Sequence, residues 1–479
     1  MQPSASQFFG LNILPKELQR ASIAEEIRTL YQDELKEIFE KNKCDDFVGN
    51  RNSAWMANFI TDRNDPTLSM SRAFQLKEII IFAKLLDQKI TLSEIYSNIN
   101  LDDNGKLLVE TDNYLKEKGI TLSQNLDERI TKIAEHAIEH DKQKPAPINM
   151  KTISKDPVFS YETTSKCRRI FYNIISVIIF PIGLCRLIHR IAGLIVVPSA
   201  VMNYEKEQMN LEKILINRED YVSKKISIEV NGKLVDAFVY GRHGTIDNGR
   251  WIVNSNPNCA VYEQLLLYPD VFGVHQNMRE LDANYIFFNY PGTALSKGMV
   301  SRSATRASHQ AVMRMFEEKV GANTIITVSA SLGGGVSNEA FKDYKLADGV
   351  TYVKAPVQTF SKISKIVPLL PTLVGWNLSS ISSNKEIPEV VLQTGAEQLN
   401  APQDVQDDFN QDENYNRIPL ITAESSLAKH YLKHPEDKPE KVAMFGLPDQ
   451  PHMAEFSYRD NSAILTRRNK KIQEFLSEN

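Results

Sequence analysis

The residues best able to do chemistry lie in one short stretch, residues 324–335. Ser331 stands there between a run rich in β-branched side chains and the three glycines of residues 333–335. A β-branched run predicts a buried strand, and the glycines allow an immediate turn into a helix. A serine on such a strained turn presents its hydroxyl at the top of a sheet, and the next backbone N–H can bind an oxyanion. Ser331 is therefore our candidate nucleophile.

The residues flanking Ser331 depart in one place from the usual Gly-x-Ser-x-Gly pattern. Ser329 stands where that pattern has its first glycine, whereas Gly333 keeps the second. The residues at both positions must be small because the turn brings the backbone close to neighbouring strands, and serine is small enough. An ordinary glycine-rich turn remains the alternative, so the surrounding elements must decide.

The composition predicts a folded chain with a large core. Of 479 residues, 42% are hydrophobic and 24% are charged, and this length predicts two or three domains. The net charge of -4 argues against a general nucleic-acid binder, whose surface would be strongly basic. The four cysteines are far apart, without metal-ligand or disulfide spacing: Cys44, Cys167, Cys185 and Cys259. We therefore expect a reducing compartment, and neither a metal nor a cofactor.

The first two regions of the chain are a helical domain and a linker. Residues 1–140 place Ile23, Ile27 and Leu30 at helical spacing and predict a helical N-terminal domain, whose protein partner the sequence leaves unknown. Residues 141–169 hold seven basic side chains against three acidic ones, with recurring prolines, and predict a basic linker. No basic region followed by an apolar core opens the chain, so we expect a cytoplasmic or peripheral-membrane protein without a signal peptide.

Residues 170–205 are the most apolar part of the chain and predict a helical hairpin. Three basic residues on one helical face follow its charge-free first half: Arg186, His189 and Arg190. Pro181 and Gly183 interrupt the run before it reaches the twenty or so apolar residues of a spanning helix. Two placements stay open. The hairpin lies in a membrane interface, with the basic linker attracting anionic lipid, or it is buried against the next domain.

Residues 215–479 carry the pattern of a doubly wound sheet. Asn231 and Gly232 separate two alternating runs and predict a β-hairpin. Continuous apolar segments then alternate with helical ones, as buried parallel strands and their crossover helices do. We therefore predict a mostly parallel α/β sheet that begins with this hairpin, and Ser331 lies at one of its strand-to-helix junctions.

Three stretches of this region resemble the α/β-hydrolase superfamily, in chain order. They are Asn254-Ser-Asn-Pro-Asn258, Asn289-Tyr-Pro-Gly292 with Ser296-Lys-Gly298, and Ser331-Leu-Gly-Gly334. The resemblance implies an α/β-hydrolase fold after the helical domain, and a catalytic triad in the order Ser, acid, His.

A narrower resemblance rests on Val197-Pro-Ser-Ala200, the Asn-Pro-Asn stretch and Ser426-Leu-Ala428. These are similar to hydrolase-like proteins of intracellular bacterial pathogens, including SidB-type secreted effectors. This resemblance implies a bacterial effector that enters a host cell by a route independent of a signal peptide.

The superfamily resemblance also implies where an oxyanion would be held. One donor would be the backbone N–H of Leu332, and the second would come from Asn258 or Cys259. The base must follow Ser331, and His452 comes after the last strand, where the superfamily carries its base. The other two histidines that follow Ser331 occupy a helix-like segment: His430 and His434.

The acid of the triad stays open between two carboxylates. Resemblance to an Asp-x-x-Ile-Pro pattern favours Asp412, whereas Glu397 mimics a Gly-x-x-Asp arrangement in Gly395-Ala-Glu397. Residues 358–384 are apolar and lie where α/β-hydrolases commonly insert a cap, although ordinary core packing explains them equally well.

The sequence thus predicts a serine hydrolase that cleaves an ester or thioester of a lipid-like or acyl substrate. The alternative is a catalytically inactive hydrolase fold that acts as an interaction module docked at a membrane.

Overall fold

The computed structural model describes most of the chain in separate ranges. They are residues 2–34, 80–81, 84–85, 87–90, 94, 97–98, 109–120, 123–143, 147–215, 218, 221–366, 375–394, 425–447 and 459–478. Internal contacts divide the chain into two units: Ile13–Pro145, and Met1–Asn12 with Ala146–Asn479. The short first helix, α1 (Ala5–Phe9), belongs to the larger unit. Its Phe9 is buried, with its ring centroid 6.1 Å from that of Trp251.

The smaller unit is helical in its described part. Its three longer helices are α2 (Arg20–Glu34), α3 (Val109–Glu117) and α4 (Gln124–Lys142). Ile23, Ile27 and Leu30, which the sequence places on one helical face, are all buried on α2. The side chain of Ser123 accepts a hydrogen bond from the Leu126 N–H and caps the start of α4.

The described part of the larger unit is a mixed α/β structure. Its strands are β1 (Phe159–Tyr161), β2 (Tyr221–Val230), β3 (Lys233–Arg242), β4 (Arg250–Ser255), β5 (Asn284–Phe288), β6 (Thr324–Ala330), β7 (Thr351–Val357), β8 (Glu389–Thr394) and β9 (Val442–Leu447). Its remaining helices are α5 (Lys166–Ile178), α6 (Phe180–Val196), α7 (Glu205–Leu215), α8 (Tyr262–Leu267), α9 (Val274–Glu280), α10 (Arg302–Met315), α11 (Leu332–Phe341), α12 (Leu427–Lys433) and α13 (Arg459–Ser477).

The nine strands form one sheet in the order β1-β2-β3-β5-β4-β6-β7-β8-β9. Only β3 runs antiparallel to its neighbours β2 and β5 among these strands. β2 and β3 are joined by the predicted hairpin, in which Asn231 and Gly232 both have positive φ. This sheet confirms the predicted mostly parallel, doubly wound architecture with an N-terminal hairpin, the α/β-hydrolase fold.

The sheet changes winding direction at β4, which lies between β5 and β6. Trp251, Ile252 and Val253 of β4 are fully buried, so the centre of the sheet lies in the core. Ser255 ends β4 beside Ser329 near the end of β6. Ligands of open α/β sheets bind at such a switch point, outside the carboxyl ends of the strands. The topology thus brings the loop after β4 and the turn at Ser331 together.

The apolar segment forms the predicted pair of helices, α5 and α6. No single described helix is long and apolar enough to cross a bilayer, but α5 and α6 together meet the length and composition of a span and are bent by 107°. One side of α6 packs on the larger unit, where the His189 and Trp376 rings stack with centroids 5.3 Å apart. Other apolar side chains of the pair are exposed, including Val177 and Phe180.

Candidate active site

Ser331 occupies a strained turn between β6 and α11. Its backbone has φ 51° and ψ -116°, a conformation that residues other than glycine rarely adopt. Three hydrogen bonds hold it. The Ser331 N–H donates to the Val357 carbonyl (3.0 Å), and the Ser331 carbonyl accepts from Thr359 Oγ1 (2.7 Å) and the Gly334 N–H (3.1 Å). The strand, turn and helix lie where the sequence predicts them, and Ser331 as nucleophile stays a prediction.

Gly333 is required because α11 passes against the end of β4. A Cβ at this position would lie 2.2 Å from the Ser255 carbonyl oxygen and 3.0 Å from that of Asn256. Both obstacles are backbone atoms, which cannot rotate aside. Ser329, the departure from the usual pattern, is accommodated as a buried residue of β6. Position 333 therefore requires glycine, whereas position 329 accommodates serine.

The residues predicted to donate to an oxyanion lie in the first turn of α11 and in the loop after β4. Leu332 is the first residue of α11, where a backbone N–H has no intrahelical acceptor and meets the positive end of the helix dipole. Within the described residues, no hydrogen bond from the N–H of Asn258 or Cys259 is present. Their carbonyls accept from the Ser199 N–H (3.3 Å) and the Tyr204 hydroxyl (3.4 Å).

The loop after β4 is anchored by the segment that resembles the Asn-Tyr-x-Gly motif. The Tyr290 hydroxyl donates to the Asn256 carbonyl at 2.7 Å. Asn289 accepts from the Tyr262 N–H at 3.1 Å and donates to Glu263 Oε2 at 2.9 Å. This motif therefore acts as a brace for the loop and positions it beside Ser331.

A buried carboxylate pair below this brace was missed by sequence reasoning. Asp236 and Glu263 are both fully buried, and the Tyr262 hydroxyl donates to Asp236 at 2.9 Å. Burial raises the pKa of Asp236 to about 7, although Lys225 Nζ at 3.5 Å opposes the rise. Burial likewise raises the pKa of Glu263. The available signal was an aspartate in the middle of the Leu-Val-Asp-Ala-Phe-Val run of β3.

A buried serine–histidine contact also escaped the sequence argument, which considered histidines after Ser331. Ser255 Oγ and His309 Nδ1 are 2.7 Å apart, and both side chains are almost completely buried. Burial lowers the pKa of His309 to about 3, so the imidazole is neutral at ordinary pH. Since solvent does not reach either side chain, this contact is structural.

The remaining predicted residues fall into two groups. His452, Asp412 and Glu397 lie outside the described residues, so their roles stay predictions. His430 and His434 lie at α12 and contact nearby carboxylates. His430 Nε2 is 2.8 Å from Asp437 Oδ2, and His434 Nδ1 is 3.4 Å from Glu436 Oε1.

The predicted cap at residues 358–384 is described on both sides of residues 367–374. In these parts Phe360, Trp376 and Leu378 are buried. A Cβ at Gly335 of α11 would lie 3.1 Å from Leu378 Cβ and 3.3 Å from the Phe360 ring, so this segment packs on the helix that follows Ser331. No group of three or more His, Cys, Asp or Glu side chains within the described ranges could hold a metal ion.

Residues 146–425 match a family model described as Chlamydia CHLPS protein (DUF818). The match covers more than half of the 479 residues. The chain belongs to this family. The CHLPS segment contains the α5–α6 pair, the loop after β4 and the turn at Ser331. No curated protein matches the chain.

Solved structures resemble the CHLPS chain at low identity. An esterase from Pyrococcus furiosus is 12% identical, with 53% of this chain and 90% of the esterase covered and a TM-score of 0.36. An alpha-beta hydrolase from Vibrio vulnificus is 12% identical, with 67% and 98% covered and a TM-score of 0.40. A putative hydrolase from Agrobacterium vitis S4 is 13% identical, with 53% and 98% covered and a TM-score of 0.34.

Replacing Gly333 by alanine should destabilise the turn at Ser331. Alanine improves helix propensity by about 1 kcal/mol, but overpacking against fixed backbone costs about 1–3 kcal/mol. Gly335→Ala on the same helix is the matched control, because its nearest obstacle is a side chain 3.1 Å away. Thermal unfolding should show the larger loss for Gly333→Ala. Equal losses in the two variants would contradict the proposed role of the β4 contact.

The lowered pKa of His309 predicts one contribution to the way the free energy of unfolding changes with pH. The folded chain keeps this imidazole neutral down to about pH 3, whereas the unfolded chain protonates it near 6.5. Stability from this group is therefore lost as pH falls from about 6.5 toward 3, by up to about 1.4 kcal/mol for each pH unit. His309→Gln should flatten this part of the curve, as measured by urea unfolding at pH 7.0 and 5.0.

Comparing wild type with His309→Gln is necessary because Asp236 acts in the opposite direction. Its raised pKa of about 7 contributes stability that is lost as pH rises from about 4 to about 7. The difference between the two proteins removes that common contribution. A difference that does not change with pH would show that His309 titrates normally in the folded chain.

Proposed function

We propose that this chain is a serine hydrolase that cleaves an ester or thioester of an acyl or lipid-like substrate. The observation that carries the proposal is the turn at Ser331, held at a strained positive φ at the switch point of a hydrolase-fold sheet. Such a turn costs about 1–3 kcal/mol. Its retention here supports a chemical role for the hydroxyl at the start of α11.

The proposed reaction proceeds through an acyl-enzyme. Ser331 Oγ attacks the substrate carbonyl while His452 accepts its proton, and the same imidazole then protonates the leaving alcohol or thiol. The negative oxygen of the tetrahedral intermediate is bound by the Leu332 N–H and by that of Asn258 or Cys259. Water activated by His452 then releases the carboxylic acid. Asp412 orients the imidazole, with Glu397 as the alternative.

An apolar acyl group is the substrate feature that the surroundings favour. Ser331 itself is only 6% exposed, which suits a site that excludes water. The loop that supplies the second oxyanion donor is bound to residues 199–204, directly after α6. The exposed apolar side chains of α5 and α6 therefore lie on the segment that leads into the site.

A catalytically inactive fold acting at a membrane is the second candidate. The exposed apolar side chains of α5 and α6 support membrane binding with or without catalysis. Ser329, which stands where the usual pattern has glycine, is the departure that favours the inactive candidate. The two candidates differ in whether Ser331 is an activated nucleophile.

Labelling with a fluorophosphonate separates these candidates. We expect covalent labelling of the full-length protein, located at Ser331 by mass spectrometry and abolished in Ser331→Ala. Ser329→Gly is the matched control, because it restores the usual small residue two positions earlier and should keep the labelling. Folded wild-type protein that resists labelling would favour the inactive candidate.

Single substitutions should also identify the rest of the triad. His452→Ala is expected to lower kcat by about 10³–10⁴-fold, since it removes the general base. If Asp412 is the acid, Asp412→Asn should lower kcat far more than Glu397→Gln does, as measured on p-nitrophenyl acyl esters. The reverse order would assign the acid to Glu397, and full activity in His452→Ala would contradict the proposed base.

We also propose, from the motif resemblance alone, that the chain is a bacterial effector that reaches a host cell. Translocation of a reporter fused to the full chain tests this proposal. Retention of that fusion in the bacterium would contradict it.

A further inference from the structure

Exposed apolar side chains are concentrated on α5, α6 and the turn after them. Among the large apolar residues that are exposed in the described part of the chain, all but Met209, Tyr268 and Met299 lie between residues 170 and 202. The tip where α5 meets α6 is the most exposed, with Val177 at 84% and Phe180 at 74%. Contiguous apolar surface of this kind marks an interaction site.

The two helices form a preorganised wedge. Gly183 lies so close to the preceding helix that a Cβ there would be 2.3 Å from the Ser176 carbonyl oxygen. Arg186 donates to the Tyr172 carbonyl at 3.1 Å and to Asn173 Oδ1 at 3.0 Å, which ties α6 to α5. The bend of 107° is therefore fixed by contacts within the pair.

The rest of the larger unit packs against one side of this wedge and leaves the other side exposed. A Cβ at Gly193 of α6 would lie 2.9 Å from Trp376 Cζ2 and 3.0 Å from the Val300 carbonyl oxygen. The Trp376 Nε1–H donates to the His189 carbonyl at 2.8 Å. Because this side is already packed, the exposed side chains have no further place to bury within the described part of the unit.

A basic cavity of about 1040 Å³ lies along α6 and is lined from Pro181, next to the tip, to Arg190. Its polar lining includes Asn173, Arg186, Arg190, Lys233, Ser301 and Ser303, and no acidic residue contributes to it. Neither Arg190 nor Lys233 forms a hydrogen bond or ion pair through its side chain within the described residues. Two cationic groups and two hydroxyls around an open cavity suit a phosphate group.

The charge of the wedge indicates which kind of partner binds its apolar surface. Residues 163–204 contain Lys166, Arg168, Arg169, Arg186 and Arg190 but no Asp or Glu. Apolar residues at the tip are exposed at four successive positions, 177–180. A helix that docks in a protein groove instead exposes apolar residues along one face, at spacings of three and four. Apolar side chains beside basic ones complement acyl chains beside anionic headgroups.

We propose that the α5–α6 wedge docks on a bilayer that contains anionic phospholipid. The tip inserts among the acyl chains, and the cavity lined by Arg190 and Lys233 holds a headgroup phosphate. Phe180 lies ten residues, or about 15 Å of helix, from Arg190, which matches half of the ~30 Å hydrocarbon thickness. This inference does not depend on whether Ser331 is catalytic.

Docking would place the bilayer beside the candidate active site. The Ser199 N–H, three residues beyond the end of α6 at Val196, donates to the Asn258 carbonyl in the loop after β4. The Tyr204 hydroxyl donates to the Cys259 carbonyl of the same loop. A lipid leaving the bilayer along α6 would therefore meet the loop that we assign to the oxyanion.

Co-sedimentation of the full-length protein with vesicles tests this inference. We expect binding to vesicles of phosphatidylcholine with phosphatidylglycerol, and much weaker binding to phosphatidylcholine alone. The double variant Arg190→Gln/Lys233→Gln should weaken binding about 25-fold, or fivefold for each charge. Val177→Asp/Phe180→Glu should abolish binding. Tyr268→Glu is the matched control, since Tyr268 is 61% exposed and lies outside the wedge.

Several outcomes would overturn the inference. These are equal binding to neutral and anionic vesicles, no vesicle binding by folded wild type, or a loss in Tyr268→Glu as large as that of the tip variant. Binding of glycerol 3-phosphate to the cavity without vesicle binding would assign it to a soluble phosphate ester instead. Thermal unfolding checks that each variant is folded, and fluorophosphonate labelling without vesicles reports on Ser331 separately.

Discussion

The candidate site depends on the close approach of α11 to the end of β4. Two parallel strands, β4 and β6, end side by side at the point where the sheet changes winding direction, and the helix that follows β6 must pass directly over the β4 loop. Only a residue without a side chain fits at position 333, next to the Ser255 carbonyl. This contact and the bonds to the Ser331 backbone keep Ser331 at φ 51°. A strained residue persists where its surroundings determine its conformation, and here they do so from both sides.

The polar groups buried below the β4 loop serve the same positioning. Asn289 bonds both to the start of α8 and to Glu263, while Tyr290 bonds to the Asn256 carbonyl. Buried polar groups are costly unless they are satisfied, so this network specifies one arrangement of the loop. The Asp236 carboxylate, with its pKa raised by burial, is part of this support and does not reach a substrate. The loop is thus fixed by hydrogen bonds, as is the turn that faces it.

Sequence patterns predicted the fold because each pattern was local. The Asn231–Gly232 hairpin, the apolar strands and the glycines after Ser331 each fix backbone geometry within a few residues. The order of the strands was not part of that prediction, and β5 lies between β3 and β4 in the sheet. The contacts of Asp236 and of His309 could not be predicted in this way, because their partners are distant along the chain and the residues themselves carry no motif. The exposure of the α5–α6 pair was equally inaccessible, since an apolar run reads alike whether a domain or a lipid covers it. His452, Asp412 and Glu397 stay predictions from chain order and resemblance.

The family match includes both the α5–α6 wedge and the turn at Ser331. The CHLPS segment begins at residue 146, before β1, and so includes α5 and α6 as well as the turn at Ser331. The wedge is therefore part of what defines the family segment and not an addition outside it. Its packing agrees, because α6 contacts Trp376, which belongs to the segment packed on α11, and the turn after α6 bonds to the β4 loop. The α5–α6 pair and the turn after it thus contact the two elements that flank Ser331, the segment packed on α11 and the β4 loop. In this arrangement the apolar wedge and the strained serine form one physical unit.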